Sequence, residues 1–358
     1  SLVNCIKRFR LDNTLDVVTA ASGPSAEIFK SNNLLNYQLA EIYRDIRIVM
    51  EEEKPDFVLM GSSAHSKTDK NLIFEAKYKS IPCVSILDTY GRYVQRVSGR
   101  KGIEKFMFMP DKICIMDNIA LEEMVKLGFN KEKLVITGQS FFDNLGKLRL
   151  KHTLQDSIGT RNELGINQED YLILFSSQHI GALAKEKPES YQGYTEVTVL
   201  RSLYENLRQL KMKNLALLIK VHPDPREYIE NTKKAIENPA LEHKIIFLKD
   251  RKSRQHMLAS DLVTGMYSTS LIETTHLNKP AISIQPNLNG TDNLPTNNVN
   301  VTIPVYKEED ILPTLEKVIF DKEYKEKLQE IRRRFFTDGK ATERIVNLVY
   351  EMLNINSN

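Results

Sequence analysis

Nearly every apolar run in the second half of this chain that reads as a β-strand stops at a small cluster of hydroxyl, amide and imidazole residues. Leu172-Ile-Leu-Phe175 runs into Ser176, Ser177, Gln178 and His179, and residues 215–221 run into His222, Pro223 and Asp224. Residues 261–264 run into Gly265-Met-Tyr-Ser-Thr-Ser270, and residues 281–284 into Gln285, Pro286 and Asn287. In an open α/β sheet, ligands sit beyond the carboxyl ends of the strands, so four polar clusters at four such ends predict a single pocket. A pocket of that kind is the reason to expect an enzyme.

Strands and helices alternate along the whole chain. Strand patterns at 16–20, 57–60, 83–88, 112–116 and 134–138 are separated by helical patterns at 37–53, 70–79 and 120–126, with a turn and a proline-led helix start at 21–24. The alternation restarts at Tyr171, with strands at 244–248 and 299–305 and helices at 195–211, 225–238, 252–259, 270–277 and 308–320. This predicts an α/β protein with two Rossmann-like, doubly wound parallel-sheet domains facing a cleft. A length of 358 residues with 41% apolar residues suits two cores. The polar stretch 146–168 reads as a break, giving domains at 1–147 and 169–330, a linker at 148–168, and a C-terminal helix at 331–358 that returns across the junction. Residues 2–9 read as a helix where such a domain opens with a strand, which points to a first strand upstream of Ser1.

Charge and cysteine usage exclude several classes. Fifty basic residues against 47 acidic ones leave a net charge of +3, too balanced for a nucleic-acid-binding field. Cys5, Cys83 and Cys114 are widely spaced within apolar segments and read as buried thiols in a reducing, cytoplasmic compartment. No metal-type cysteine spacing and no apolar run near membrane-spanning length is present.

The candidate site follows from these strand ends. Ser268, Thr269 and Ser270 stand between a strand and a helix, where hydroxyls and free amides at a helix N-terminus suit a phosphate; Ser270 with Glu273 also reads as a capping box, which explains the same residues without a ligand. His222, pinned by Pro223 and preceded by Lys220, suits a leaving phosphate, although a lone histidine is as often just a satisfied polar residue. Asp88 ends a strand of the first domain and could serve as general base, or pair with Arg92 or Arg96; His65 is a rival base. Glu273 and His276 lie three apart on one helix with no third ligand in sight, so no metal is expected. The absence of Gly-x-Gly-x-x-Gly and of Gly-x-x-x-x-Gly-Lys-Ser argues against dinucleotide and P-loop enzymes, and the absence of Asp-x-Asp leaves a metal without its usual holder. Residues 185–193 read as a mobile loop over the cleft, and the basic stretch 92–105 as a solvated loop or a docking place for an anionic or lipid-linked acceptor.

The ordered set Val135-Ile-Thr-Gly-Gln-Ser-Phe-Phe-Asp143, Phe175-Ser-Ser-Gln178, Ile219-Lys-Val-His-Pro-Asp224, Ala259-Ser-Asp-Leu-Val-Thr-Gly-Met-Tyr-Ser-Thr-Ser-Leu-Ile-Glu273, Lys279-Pro-Ala-Ile-Ser-Ile284 and Asp338-Gly-Lys-Ala-Thr342 resembles the GT-B glycosyltransferase superfamily. Within it the chain is similar to bacterial surface-polysaccharide transferases, CDP-glycerol glycerophosphotransferases and nucleotide-sugar 2-epimerases. The resemblance implies donor-phosphate contacts from His222, Ser268 and Thr269; the strand-end reading adds Lys220, Pro223, Gly265, Ser270, Glu273, Ser177 and Gln178. It implies a metal-independent, inverting transfer of a sugar from a nucleotide-sugar donor to a hydroxyl of a surface polysaccharide or lipid-linked glycan. Asp88 or His65 would act as base, with Arg92 and Arg96 on the acceptor side. No cofactor and no nucleic acid enter this reading; a homodimer and attachment at the inner membrane face are compatible with it. The alternatives are an epimerase or hydrolase of the same fold and a non-catalytic nucleotide-sugar-binding subunit.

Overall fold

The computed structural model describes residues 2–40, 43–64, 67–99, 104–210, 212–221, 233, 236, 244–248, 252–335 and 337–355. The chain forms two compact units, Ser1–Asn144 with Thr337–Asn358, and Leu145–Phe336.

The second unit is built on six parallel strands in the order β12-β11-β10-β7-β8-β9. These are β7 (Tyr171–Ser176), β8 (Leu215–Lys220), β9 (Lys244–Leu248), β10 (Leu262–Gly265), β11 (Ala281–Ile284) and β12 (Ile303–Val305). The first strand in the sequence therefore lies beside the fourth, and the winding reverses between β7 and β10, which makes that edge the topological switch point. Strands covered on both faces must be apolar on both, which is why Tyr-Leu-Ile-Leu-Phe-Ser and Leu-Ala-Leu-Leu-Ile-Lys read as continuous runs rather than alternating ones. Leu200, Leu203 and Leu207 of the helix Glu196–Gln209 pack with Leu315 and Val318 of the helix Ile311–Phe320 in this core. Each such buried side chain contributes about 1.5–3 kcal/mol relative to exposure.

The first unit carries the parallel sheet β3-β4-β5-β6 and a separate pair, β1 (Ala20–Ala21) and β2 (Tyr37–Gln38). The larger sheet comprises β3 (Val58–Met60), β4 (Cys83–Ile86), β5 (Lys112–Ile115) and β6 (Leu134–Ile136). The terminal helices Leu2–Phe9 and Ala341–Leu353 lie together on it, with Phe9 and Tyr350 edge to face at 6.0 Å. Asp143 fastens the last helix. Its Oδ1 accepts from the Ala341 amide at 3.1 Å, and its Oδ2 from the Thr342 amide at 2.8 Å and hydroxyl at 2.7 Å. The carboxylate thus caps a helix start almost two hundred residues away, a structural task shared by two of the segments that carry the family resemblance.

The structure corrects several expectations. Residues 148–168, expected as the domain linker, hold the end of the helix Ser140–Lys151 and the helix Leu154–Glu163. The segment looks like a linker because it is mostly exposed, yet a Thr153–Asp156 capping box starts the second helix. Arg161, 7% exposed, ties that helix to Ala259 O at 3.1 Å, Asp170 O at 2.8 Å and Asp261 Oδ2 at 2.8 Å. The helix expected over 37–53 starts at Tyr43, because Tyr37–Gln38 is strand β2, paired with β1 (Ala20–Ala21) after the Tyr37 amide donates to Thr19 O at 2.9 Å. Residues 185–193 carry local structure rather than a plain loop. Residues 185 and 186 finish the helix Ile180–Glu186, Pro188–Ser190 is a 3-10 turn, and a Cβ at Gly193 would lie 2.0 Å from Asn287 O. The helix expected at 225–238 falls largely outside the described residues. All three cysteines are free and buried, and burial pushes the Cys5 and Cys83 thiols up to about 11.

Candidate donor-phosphate site

The strand order brings the predicted polar clusters to one place. A cavity of about 550 Å³ opens at the carboxyl ends of β7, β8 and β10, lined by Ser176, Ser177, Gln178, His179, Lys220, Tyr267, Ser268, Thr269 and Ser270 among others. Two backbone-directed bonds hold its walls together: Gln178 Oε1 accepts from the Tyr267 amide at 2.8 Å, and the Ser177 amide donates to Lys220 O at 3.0 Å. The helices Ile180–Glu186 and Thr269–His276 both begin at the cavity, so their positive ends face it. Lys220 adds a side-chain cation. Burial holds its ammonium below the ordinary lysine range, the Glu273 carboxylate opposes that shift, and Arg254 adds to it. A half-buried lysine with two helix starts and a set of hydroxyls is suited to a multiply charged anion.

The structure assigns the cap differently from the sequence. Ser268 is the N-cap, its Oγ accepting from the Ser270 amide at 3.2 Å, and no Ser270–Glu273 capping box forms. Glu273 turns instead to Arg254, whose Nε lies 3.0 Å from its Oε2. Thr269 is exposed at the cavity wall. Gly265 does not line the cavity; a Cβ there would stand 2.9 Å from Ser176 O, so glycine serves the close approach of β10 to β7. A second cavity of about 280 Å³ adjoins the first through the shared residues Lys220 and Ser270, and adds Lys252, Ser253, Arg254, Gln255 and Glu273. Sequence reasoning took 252–259 only as a helix. The signal was electrostatic: the helix Ser253–Ala259 has no acidic residue in its first turn and has Lys252 and Arg254 where a helix start favours anions.

His222 and Pro223 lie outside the described residues, as does His65. Asp88 lies just past β4 in the first unit with 48% of its side chain exposed, its Oδ1 2.6 Å from Arg96 Nη1. Arg92 is a left-handed residue at the start of the helix Tyr93–Val97. Arg96 is buried, with Tyr93 and Val97, so the front of the basic stretch is packed structure rather than a solvated loop. His276 is buried, stacked on Phe335 at 5.1 Å, and lines neither cavity. Among the described residues no group of three or more His, Cys, Asp or Glu is placed to hold a metal ion, and no helix is long and apolar enough to cross a membrane.

Two parallel-sheet units, one carrying a cationic, hydroxyl-lined pocket at its switch point, define a protein of the GT-B fold. Solved structures with this fold include the Staphylococcus aureus MnaA–UDP complex, which matches with a TM-score of 0.70 at 16% identity over 100% of this chain and 94% of that one. UDP-GlcNAc 2-epimerase from Neisseria meningitidis, bound to UDP-GlcNAc, matches with a TM-score of 0.71 at 15% identity over 98% and 96%. MurG from Acinetobacter baumannii matches with a TM-score of 0.59 at 13% identity over 97% and 94%. No curated protein sequence matches the chain. A family model described as CDP-glycerol:poly(glycerophosphate) glycerophosphotransferase matches residues 111–351, and the chain belongs to that family.

Proposed function

We propose that this chain transfers a group from a nucleoside-diphosphate-activated donor to an acceptor hydroxyl, the first candidate being glycerophosphate from CDP-glycerol to a growing polyol-phosphate chain. The observation that carries the reading is the cavity where Lys220, Ser268, Thr269 and two helix starts converge, because a donor pyrophosphate offers the charge and acceptor oxygens those groups recognise. The family match favours glycerophosphate. In that reaction the acceptor oxygen attacks the phosphorus next to glycerol, the bridging P–O bond breaks, and CMP leaves with the electron pair. Lys220 and the helix starts neutralise the charge gathering on the departing phosphate, and Asp88 is the proposed acceptor of the hydroxyl proton.

A second reading, sugar transfer, is supported by a fold shared with proteins solved with UDP and UDP-GlcNAc. It differs in the bond broken: attack at the sugar carbon inverts it and releases a nucleoside diphosphate. Both readings require no bound metal, so activity should persist in EDTA; loss restored by magnesium or manganese would overturn that part.

The test starts with thermal shifts in CDP, UDP, CMP and GDP, since ligand at 100 times its Kd stabilises the folded state by about 2.7 kcal/mol. Incubation with CDP-glycerol or UDP-N-acetylglucosamine, with and without oligo(glycerophosphate), then identifies the reaction by the nucleotide released. CMP formed only with acceptor supports the first reading, and UDP formed only with acceptor the second. A new sugar from donor alone would make the chain an epimerase, and binding without turnover a binding subunit.

A further inference from the structure

We infer that Arg96 is a positioning residue for Asp88, not a ligand of the acceptor, an inference that rests on the role proposed for Asp88. The short helix after β4 carries Arg96 under the loops at the carboxyl edge of the first unit's sheet. Its side chain is 7% exposed, and Nη1 lies 2.6 Å from Asp88 Oδ1, 2.7 Å from Ser62 O and 3.0 Å from Ser62 Oγ, its two hydrogens shared among them. Nε reaches Gly91 O at 3.4 Å. A cation this enclosed cannot also turn to a bulky acceptor without abandoning several of these bonds. It needs a carboxylate beside it, because a buried charge is tolerated only when paired, and among the described residues Asp88 is the one carboxylate in ion-pair range.

Asp88 is held from two directions. Its carboxylate is gripped by Arg96, and its carbonyl accepts from Gln139 Nε2 at 3.0 Å, a residue 5% exposed whose Oε1 in turn accepts from the Phe141 amide at 2.8 Å. The loops following β3, β4 and β6 are thereby joined through the Arg96–Asp88 pair. Oδ1 is committed to the buried guanidinium, while Oδ2 has no partner among the described residues and belongs to a side chain that is 48% exposed. One oxygen fixed by a buried cation and the other presented outward is the arrangement a proton acceptor needs, since its direction is set before substrate arrives.

The test measures steady-state kcat and KM for the full chain with CDP-glycerol and oligo(glycerophosphate), and with UDP-N-acetylglucosamine in parallel. Asp88→Asn should lower kcat by about 10²–10⁴. Arg96→Gln should lower it by about 10–10², the scale of a misplaced group, with donor KM and the CDP thermal shift unchanged. Arg96→Lys should recover part of the loss; it also carries the test if the glutamine variant fails to fold. The deciding measurement is the double variant. If Arg96 acts through Asp88, adding Arg96→Gln to Asp88→Asn costs nothing further, whereas a purely structural arginine gives additive losses. Full kcat in both Arg96 variants, or additive losses, overturns the inference while leaving the function standing. Full activity in Asp88→Asn removes both the base and its positioning residue, and an inert wild type with both donors overturns the proposed function and this inference together.

Discussion

At the scale of single residues, Lys220 and Ser268 have the most to say about the candidate donor pocket. Lys220 stands below the ordinary lysine range because burial disfavours its charged form, so it gives up its proton earlier as pH rises. Nucleotide affinity should therefore decline on the alkaline side sooner than an exposed lysine would allow. Lys220→Gln should weaken CDP binding by about 10–100-fold, the scale of a lost charged hydrogen bond, and flatten that pH dependence; titration calorimetry across pH reads both. Ser268→Ala mixes two effects, since losing an N-cap costs about 0.5–2 kcal/mol by itself. Thr269→Ala is the cleaner probe, and unchanged CDP affinity in that variant would reduce the cluster to a helix start. His276 gives an independent acid signature. Burial, with a smaller contribution from Arg149, pushes its imidazole down to about 4 against an unfolded value near 6.5. The unfolded chain then binds the extra proton between these values, so stability is full above pH 6.5 and falls as pH drops toward 4, by about 3 kcal/mol in all. Urea unfolding from pH 7 to 4 should show this loss, and His276→Gln should remove most of it.

At the scale of elements, the segments carrying the family resemblance divide into pocket and scaffold. Phe175–Gln178 and Gly265–Ser270 meet at the switch point because β7 and β10 are neighbours, with Gly265 in register with Ser176. Asp143, Ala341 and Thr342 instead join two distant helices, and Asp261 serves Arg161 and the Leu172 amide. Asp143→Ala should cost about 2 kcal/mol, the upper end for a lost cap, because two amides and a hydroxyl lose their acceptor. Chemical denaturation should show that loss without a change in CDP affinity, since none of these groups lines the candidate donor cavity.

At the scale of the whole molecule, the two units differ in how the chain builds them. The second is one continuous stretch, Leu145–Phe336, with its own six-stranded sheet and core, whereas the first needs both ends of the chain. A fragment of residues 145–336 should therefore fold and bind CDP with a Kd within about threefold of the full chain, since its core and pocket are internal. Residues 1–144 without 337–358 should not fold stably, because the helix Ala341–Leu353 supplies Ile345, Val346, Val349 and Tyr350 to its core. Circular dichroism and calorimetric titration of the two fragments check this.

The sequence alone carried the parallel α/β alternation and most of the polar lining of the cavity, Ser176 to His179, Lys220, Tyr267 and Ser268 to Ser270. Both are local facts: apolar runs mark buried strands, and polar residues just past a strand end fall on the ligand-binding edge. It leaned toward sugar transfer, whereas the family match favours glycerophosphate, because strand-end residues suited to a phosphate would suit the pyrophosphate of either donor and do not specify which bond breaks. Tertiary structure alone decided which serine caps the helix, that Glu273 belongs to Arg254, that Arg96 is buried against Asp88, and that the stretch 148–168 carries the helix Leu154–Glu163. Each of these depends on partners brought together by packing, and a capping box or a linker is judged in sequence from neighbours only. Long-range pairing outweighs local preference at these positions because a buried charge or amide must find its partner wherever the fold has placed one.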